Sequence, residues 1–309
     1  MPAKKSPRKG SLQFWPRKRA KKFLPRVNWN SIDSQKSIKG FIGYKVGMLS
    51  ITVKDNTPNS LTNGKNIVIP VTAIECPPMK ILSVRFYKDG KVMTEIVSKS
   101  LEKDLKRKIK FPKTEGKKIE DIKDYDNVSL IVYSQVKKTG IKKSPDLIEV
   151  GLSGSVEEKL NFAKENLGKE ISLPNVFEKG DLVDVRGLTK GQGLSGPVKR
   201  FGITLKSHKS EKGRRRPGSL GPWHPARVTF RVPQAGQLGM FTRNIYNNKI
   251  VFLGNSSDRP LKGMKNFGNV NTDYVLVRGS VQGPAKRQLI LSHGLRPTKK
   301  QLKKDFELI

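Results

Sequence analysis

Beyond Gly40 the chain alternates short apolar runs with turn residues, and the alternation has the period of strands. GFIGYKVGMLSITVKD, starting at Gly40, interleaves apolar, small and polar positions, and NIVIPVTAIEC follows after a stretch rich in Asn, Pro and Gly. Both predict strands bounded by turn chemistry. Further strands are predicted at ILSVRFY, at Val128–Gln135 (VSLIVYSQ), Asp181–Arg186 (DLVDVR), Lys249–Leu253 (KIVFL), Tyr274–Arg278 (YVLVR) and Arg287–Leu291 (RQLIL). Helical spacing is confined to two places. One is a stretch around Leu101–Ile109. The other follows Gly154, where Ser155 and Glu158 make a capping box, Val156, Leu160, Ala163 and Leu167 share a face, and Gly168 stands where a terminating glycine belongs.

Short strands separated by Gly and Asn turns, with no helix between the later ones, argue for an antiparallel barrel. The fold class read from the pattern is mainly β: a discontinuous β-barrel from residues 41–79 and 181–295, with an α/β lobe inserted at 80–180. Three basic extensions complete it: an N-terminal arm at 1–40, a finger at 200–248 within the barrel, and a C-terminal tail at 296–309.

Charge sharpens this division. The 309 residues carry 62 Lys and Arg against 26 Asp and Glu, a formal net charge of +36. Residues 1–40 hold twelve bases against Asp33 alone, and Arg200–Lys249 hold eleven against Glu211 alone, whereas residues 80–180 hold sixteen acids beside 22 bases. The excess is therefore regional, as in a footprint for a polyanion, and nucleic acid is the leading partner.

Within the finger, Gly213-Arg-Arg-Arg-Pro-Gly218 is followed by Trp223-His224-Pro225-Ala226-Arg227. Arginine supplies planar forks for phosphate and stacks on bases, and glycine lets backbone come close. Prolines on either side present Trp223 rigidly. The arm repeats the theme, with Phe14, Trp15, Phe23 and Trp29 among basic clusters, a composition suited to RNA. The residues placed against RNA are Trp15, Arg17, Lys18, Arg19, Lys21 and Lys22 in the arm. In the finger and at its root they are Lys199, Arg200, Lys206, His208, Lys209, Lys212, Arg214, Arg215, Arg216, Trp223, His224, Arg227 and Arg231. Arg243, Lys286 and Arg287 complete the set.

Other chemistries find little support. GQGLSG at Gly191–Gly196 matches the dinucleotide fingerprint by letter, but Pro197, Gly202 and a basic run follow where a helix and then an acid belong, so no cofactor is expected. His208, His224 and His293 are scattered, and no His, Cys and acid cluster has ligand spacing, so no metal is expected either. No nucleophile elbow appears, leaving catalysis and a small-molecule substrate without positive evidence. The single cysteine, Cys76, excludes a disulfide framework and suits a reducing compartment. The basic N-terminus lacks the apolar run of a signal peptide, and Ile67–Ile74 is far short of the roughly 20 residues needed to cross a bilayer, so no membrane is expected.

VRGLTKGQGLSGPVKRFG (Val185–Gly202), HKSEKGRRRPGSLGPWHPARV (His208–Val228) and AGQLGMFTRNIYNNKIVFLG (Ala235–Gly254) closely resemble the universal L-three family of large-subunit ribosomal proteins, in its archaeal and eukaryotic form. The arm, GFIGYKVGM and RGSVQGPAKRQLIL extend the resemblance over nearly the whole chain. It implies a translation-protein-like barrel with extensions into large-subunit rRNA, early action in subunit assembly, and a finger reaching toward the peptidyl transferase centre with Trp223 at its tip. It also implies large-subunit rRNA and neighbouring ribosomal proteins as partners, and the cytoplasmic ribosome as location. Some eukaryotic relatives carry a modified histidine where alignment through Gly213 puts Glu211 here. A free-standing RNA chaperone and an RNA-modifying enzyme are the rival classes.

Overall fold

The computed structural model describes residues 9–112, 116, 119–122 and 124–309. The first eight residues of the predicted arm, and residues 113–115, 117–118 and 123 of the predicted lobe, lie outside the described residues. The chain divides into two compact units. One joins Leu188–Thr242 to the described residues through Phe23; the other comprises Leu24–Gly187 and Arg243–Ile309.

The larger unit opens with β1 (Gly40–Asp55) and β2 (Asn66–Glu75), followed by β3 (Met79–Lys88), β4 (Lys91–Val97), β5 (Asn127–Ser134) and β6 (Leu147–Gly151). Helix α1 (Val156–Asn166) and the short β7 (Glu170–Ile171) lead to β8 (Leu182–Leu188). The smaller unit then contributes β9 (Leu194–Ser195), α2 (Pro197–Phe201) and β10 (Gly236–Gln237), after which β11 (Thr242–Gly254), β12 (Tyr274–Arg278) and β13 (Gln288–His293) return to the larger one. A four-residue helix α3 (Lys299–Leu302) and β14 (Phe306–Leu308) end the chain.

Six strands run in the order β13-β8-β11-β12-β2-β1, and a further β13–β1 pairing closes them into a barrel-like ring. The register is antiparallel, with Gly40 opposite Ser292, Thr52 opposite Val68 and Leu276 opposite Ala73. β1 is long enough to serve two partners along one edge: its start pairs with β13, and Val53–Asp55 pair with β14. A bulge between Lys45 and Gly47 marks the change. Alternation survives where one face is wet, from Gly47 to Thr52, where half-buried residues alternate with exposed ones, and is lost at Gly40–Val46, where both faces are covered.

A second sheet, β4-β3-β5-β6 with β7 also paired to β3, carries α1. Ser155 accepts from the Glu158 amide while the Glu158 carboxylate accepts from the Ser155 amide, so the predicted capping box is formed. Gly168 takes φ +81°, the left-handed conformation expected after a helix. The stretch around Leu101–Ile109 is instead a 3-10 helix of five residues, Lys103–Arg107, although Leu101, Leu105 and Ile109 pack into one cluster. Tyr44 of β1 donates to Asp146 Oδ2 at 2.6 Å and shares a 2.6 Å hydrogen bond with Ser134 at the end of β5, tying ring to second sheet through buried side chains.

Two parts of the predicted extensions belong to the larger unit. Trp29, read as an arm aromatic, is buried: its indole donates to the Glu149 carbonyl at 2.7 Å and fills the space over Gly40 and Gly151. A Cβ on either glycine would come within 2.5 Å of the Trp29 side chain, so the ring replaces the side chains those strand positions lack. The tail contributes Phe306, buried beneath the Arg278 guanidinium, and its strand β14.

Candidate nucleic-acid interface

The smaller unit gathers the predicted arm and finger residues on a scaffold with little regular structure. Its root is the glycine turn at Gly191–Gly196. Gln192 donates to the Leu238 carbonyl, Leu238 donates back to Gly193 O, and β9 pairs with β10. Gly193 sits at φ +60°, and Gly196 caps α2 with Pro197 in its first turn. The sequence reading expected no helix after this turn. One does open, but it lasts five residues and ends at Gly202, φ +62°, because the next segment has no apolar face to bury.

Arginines from arm and root meet on one ring. The Arg17 guanidinium lies 4.6 Å from the centre of the buried Phe201 ring and 5.1 Å from that of Trp15, while Arg200 lies 5.1 Å from Phe201. Arg17 also donates to Ser11 O at 2.7 Å, and Arg200 to Gln237 O at 3.0 Å and Gln234 O at 3.1 Å. Cation–π contacts of this kind contribute about 0.5–1 kcal/mol each where water has access. Burial lowers the pKa of Arg200, yet a guanidinium that starts so high keeps its charge. These two arginines therefore hold the fold of the unit as well as offering charge. Trp15 is half-buried, edge-on to Phe230 at 5.2 Å. Lys18, Arg19, Lys21 and Lys22 are exposed, and the Ala20 amide anchors their stretch by donating to Met240 O at 3.0 Å.

From Gly202 to Ala235 the backbone forms no helix or strand. Lys206 and Arg214 close a loop, the Lys206 amide donating to Arg214 O at 3.1 Å and Arg214 Nε donating to Lys206 O at 3.2 Å, with Gly213 at φ +86°. Lys206, His208, Lys209, Lys212, Arg214, Arg215 and Arg216 are all exposed along it. Beyond Pro217 every residue from Gly218 to Arg231 is exposed, including His224 and Arg227, and Trp223 is 87% exposed. Arg215 and the exposed Lys199 flank a cavity of about 320 Å³ over the glycine turn, lined also by Gln192 and Ser195.

Three predicted residues fall in the larger unit. Lys286 is exposed at φ +66°, its amide donating to Lys45 O; Arg287 is half-buried, and burial lowers its pKa; Arg243 is half-buried and its carbonyl accepts from Gln282. His293, far in sequence from His208 and His224, packs 4.7 Å from the Phe177 ring, and burial lowers its pKa. Among the described residues no group of three His, Cys, Asp or Glu could hold a metal ion, and no helix is long and apolar enough to cross a membrane.

The sequence reading passed over Phe230, 60% exposed, and Leu194, 87% exposed. Phe230 stands beside Arg231 in the basic finger, the one sequence signal that could have marked it as an exposed ring.

Residues 1–308 match the family model for ribosomal protein L3. The chain is 42% identical to the large ribosomal subunit protein uL3 of Archaeoglobus fulgidus, covering 95% of this chain and 93% of that one. It is 40% identical to the protein of that name from Methanocaldococcus jannaschii, over 96% and 93% respectively, and 41% identical to that of Methanobrevibacter smithii, over 95% and 93%.

Proposed function

The chain belongs to the ribosomal protein L3 family, whose members are structural components of the ribosome and not enzymes, and from that premise we propose that its arm and finger bind large-subunit rRNA. The carrying observation is the finger itself. From Gly202 to Ala235 it lacks regular structure, and it holds a run of exposed cations and an 87% exposed tryptophan. Such a segment has too little apolar burial to order itself, so its order comes from a partner, and its charge selects a polyanion.

In this reading Lys206–Arg216 neutralise phosphates brought close together by RNA folding, which positions the protein without reading sequence. Trp223 offers a π-face to an unstacked base or ribose at the finger tip. The finger extends toward the peptidyl transferase centre, the protein binds early in subunit assembly, and neighbouring large-subunit proteins are its other partners. Lys286 and Arg287 add phosphate contacts from the turn before β13.

Chemical footprinting of large-subunit rRNA, with and without the full chain, tests this. Protections should cluster at discrete sites and lose those due to the finger when Lys206–Ala235 is replaced by a short Gly-Ser linker. Diffuse protection of the kind any polycation gives, or an unchanged pattern with the shortened chain, would overturn it.

A further inference from the structure

One exposed ring of the smaller unit stands on a built support. Phe230 is 60% exposed, in a turn that the Val232 amide closes by donating to the Thr229 carbonyl at 3.2 Å. Its ring centre lies 5.2 Å from that of Trp15, with the two planes at 78°. Trp15 is held in turn by Arg17, whose guanidinium lies 5.1 Å from the Trp15 ring centre and 4.6 Å from that of the buried Phe201. Phe230 therefore ends a ladder of rings and a cation that begins at a buried side chain, and the ladder sets its orientation.

An edge-on contact uses either the rim of Phe230 or one of its faces, so at least one face stays clear of Trp15. The Arg231 guanidinium is 5.7 Å from the Phe230 ring centre, farther than the roughly 3.5–4.0 Å at which it would lie flat on the ring. The surroundings select what the clear face receives. Among the described residues of this unit, seventeen Lys and Arg face Glu211 alone. A rigid π-face in so positive a field suits a ligand that is aromatic at one end and anionic at the other, which describes a nucleotide. The apolar face of another protein would gain nothing from the cations.

We propose that the clear face of Phe230 stacks on one unpaired rRNA base while Arg231 meets a phosphate beside it, a stacking seat additional to Trp223. The identity of the strand rests on the rRNA reading of the finger. Stacking on one ring raises affinity about 5–150-fold, too little to hold a free nucleotide unaided, so the base belongs to a strand that the surrounding cations already hold.

The test uses the full chain with deproteinised large-subunit rRNA. Phe230→Leu keeps an apolar side chain and removes the π-face; it should weaken binding at least about fivefold and leave the slope of log K against log salt unchanged, because no phosphate contact is lost. Phe230→Gln, polar and suited to an exposed position, supplies the same test should Phe230→Leu fold poorly. Phe230→Tyr, which keeps the ring, should bind like the wild type. Acylation of ribose 2′-hydroxyls reports how freely each nucleotide moves. One unpaired nucleotide made unreactive by the wild type should regain reactivity with Phe230→Leu, while hydroxyl-radical protections of the backbone persist. Unchanged affinity, an acylation pattern indifferent to the substitution, or a shallower slope, which would mean that the ring only positions Arg231, would overturn the proposal. So would a Phe230→Leu chain that binds naked rRNA normally but is lost from assembled subunits, since the ring would then serve a neighbouring protein. Backbone protections missing with the wild type would overturn the rRNA reading itself, and the proposal with it.

Discussion

Replacing Arg215 and Arg216 together by alanine should flatten the salt dependence of rRNA binding while leaving the fold intact. Both side chains are exposed, and Arg214 is deliberately spared because its Nε closes the loop on Lys206 O. Each phosphate neutralised by the protein contributes roughly 0.7–0.9 to the slope of log K against log salt, so losing two makes the slope shallower by about 1.4–1.8. A fourfold rise in salt is about 0.6 log units, so the wild-type advantage should shrink about tenfold between 50 and 200 mM salt, or about 1.4 kcal/mol. Filter binding or fluorescence titration of an rRNA fragment at four or five salt concentrations measures this directly. Parallel slopes, with both proteins folded by circular dichroism, would refute the assignment of these two arginines to phosphates.

Three further outcomes follow from particular residues. Trp223→Ala should leave the denaturation midpoint within about 0.5 kcal/mol of wild type, since the ring is 87% exposed, yet slow translation by reconstituted subunits; a large loss of stability would make it a core residue. Tyr44→Phe should cost about 1–3 kcal/mol in urea unfolding, because Asp146 and Ser134 lose a buried partner, and an unchanged midpoint would contradict the buried joint. Asp55 is pushed up by burial but held at about 2 by the stronger effect of hydrogen bonds from Thr57, Thr62 and Ser60. Its folded pKa is thus below the unfolded one, so its contribution, at most about 2 kcal/mol after solvent screening, is complete above about pH 4 and lost as pH falls through about 2. Asp55→Asn should therefore be less stable than wild type at pH 5, with the gap closing near pH 2.

Legibility in the sequence tracked how local the governing physics is. The capping box of α1 and the strands β1, β2, β5 and β12 declare themselves because alternation and capping act over a few residues. β4 goes unread because it is mostly exposed at the edge of its sheet and Lys91–Val97 sets apolar residues on both faces, Val92 and Ile96 on one and Met93 and Val97 on the other, so no alternation stands out. β14 was hidden in a basic tail, where a single buried Phe306 and pairing to β1 decide the structure. Trp29 reads as an RNA-facing ring until Gly40 and Gly151, over 100 residues apart, are seen to form its bed. At the interface, the cations were legible as charge, but the second role of Arg17 and Arg200 was not. The Phe201 ring they share is reached from opposite sides of a gap of more than 180 residues.

The shared edge of β1 bears on how the protein is made. Gly40 waits for Ser292, a separation of 252 residues, and no earlier strand takes that edge in the finished ring. At translation rates of about 5–20 residues per second, that edge stays open for roughly 10–50 s on every nascent chain. β2 arrives within seconds and shields the other edge, so the hazard is one-sided and falls on Gly40–Tyr44, a bare strand edge of the kind that templates aggregation. Ring closure is thus a late, high-contact-order event, and the yield of soluble chain becomes a kinetic contest between the emergence of β13 and the capture of β1 by another molecule.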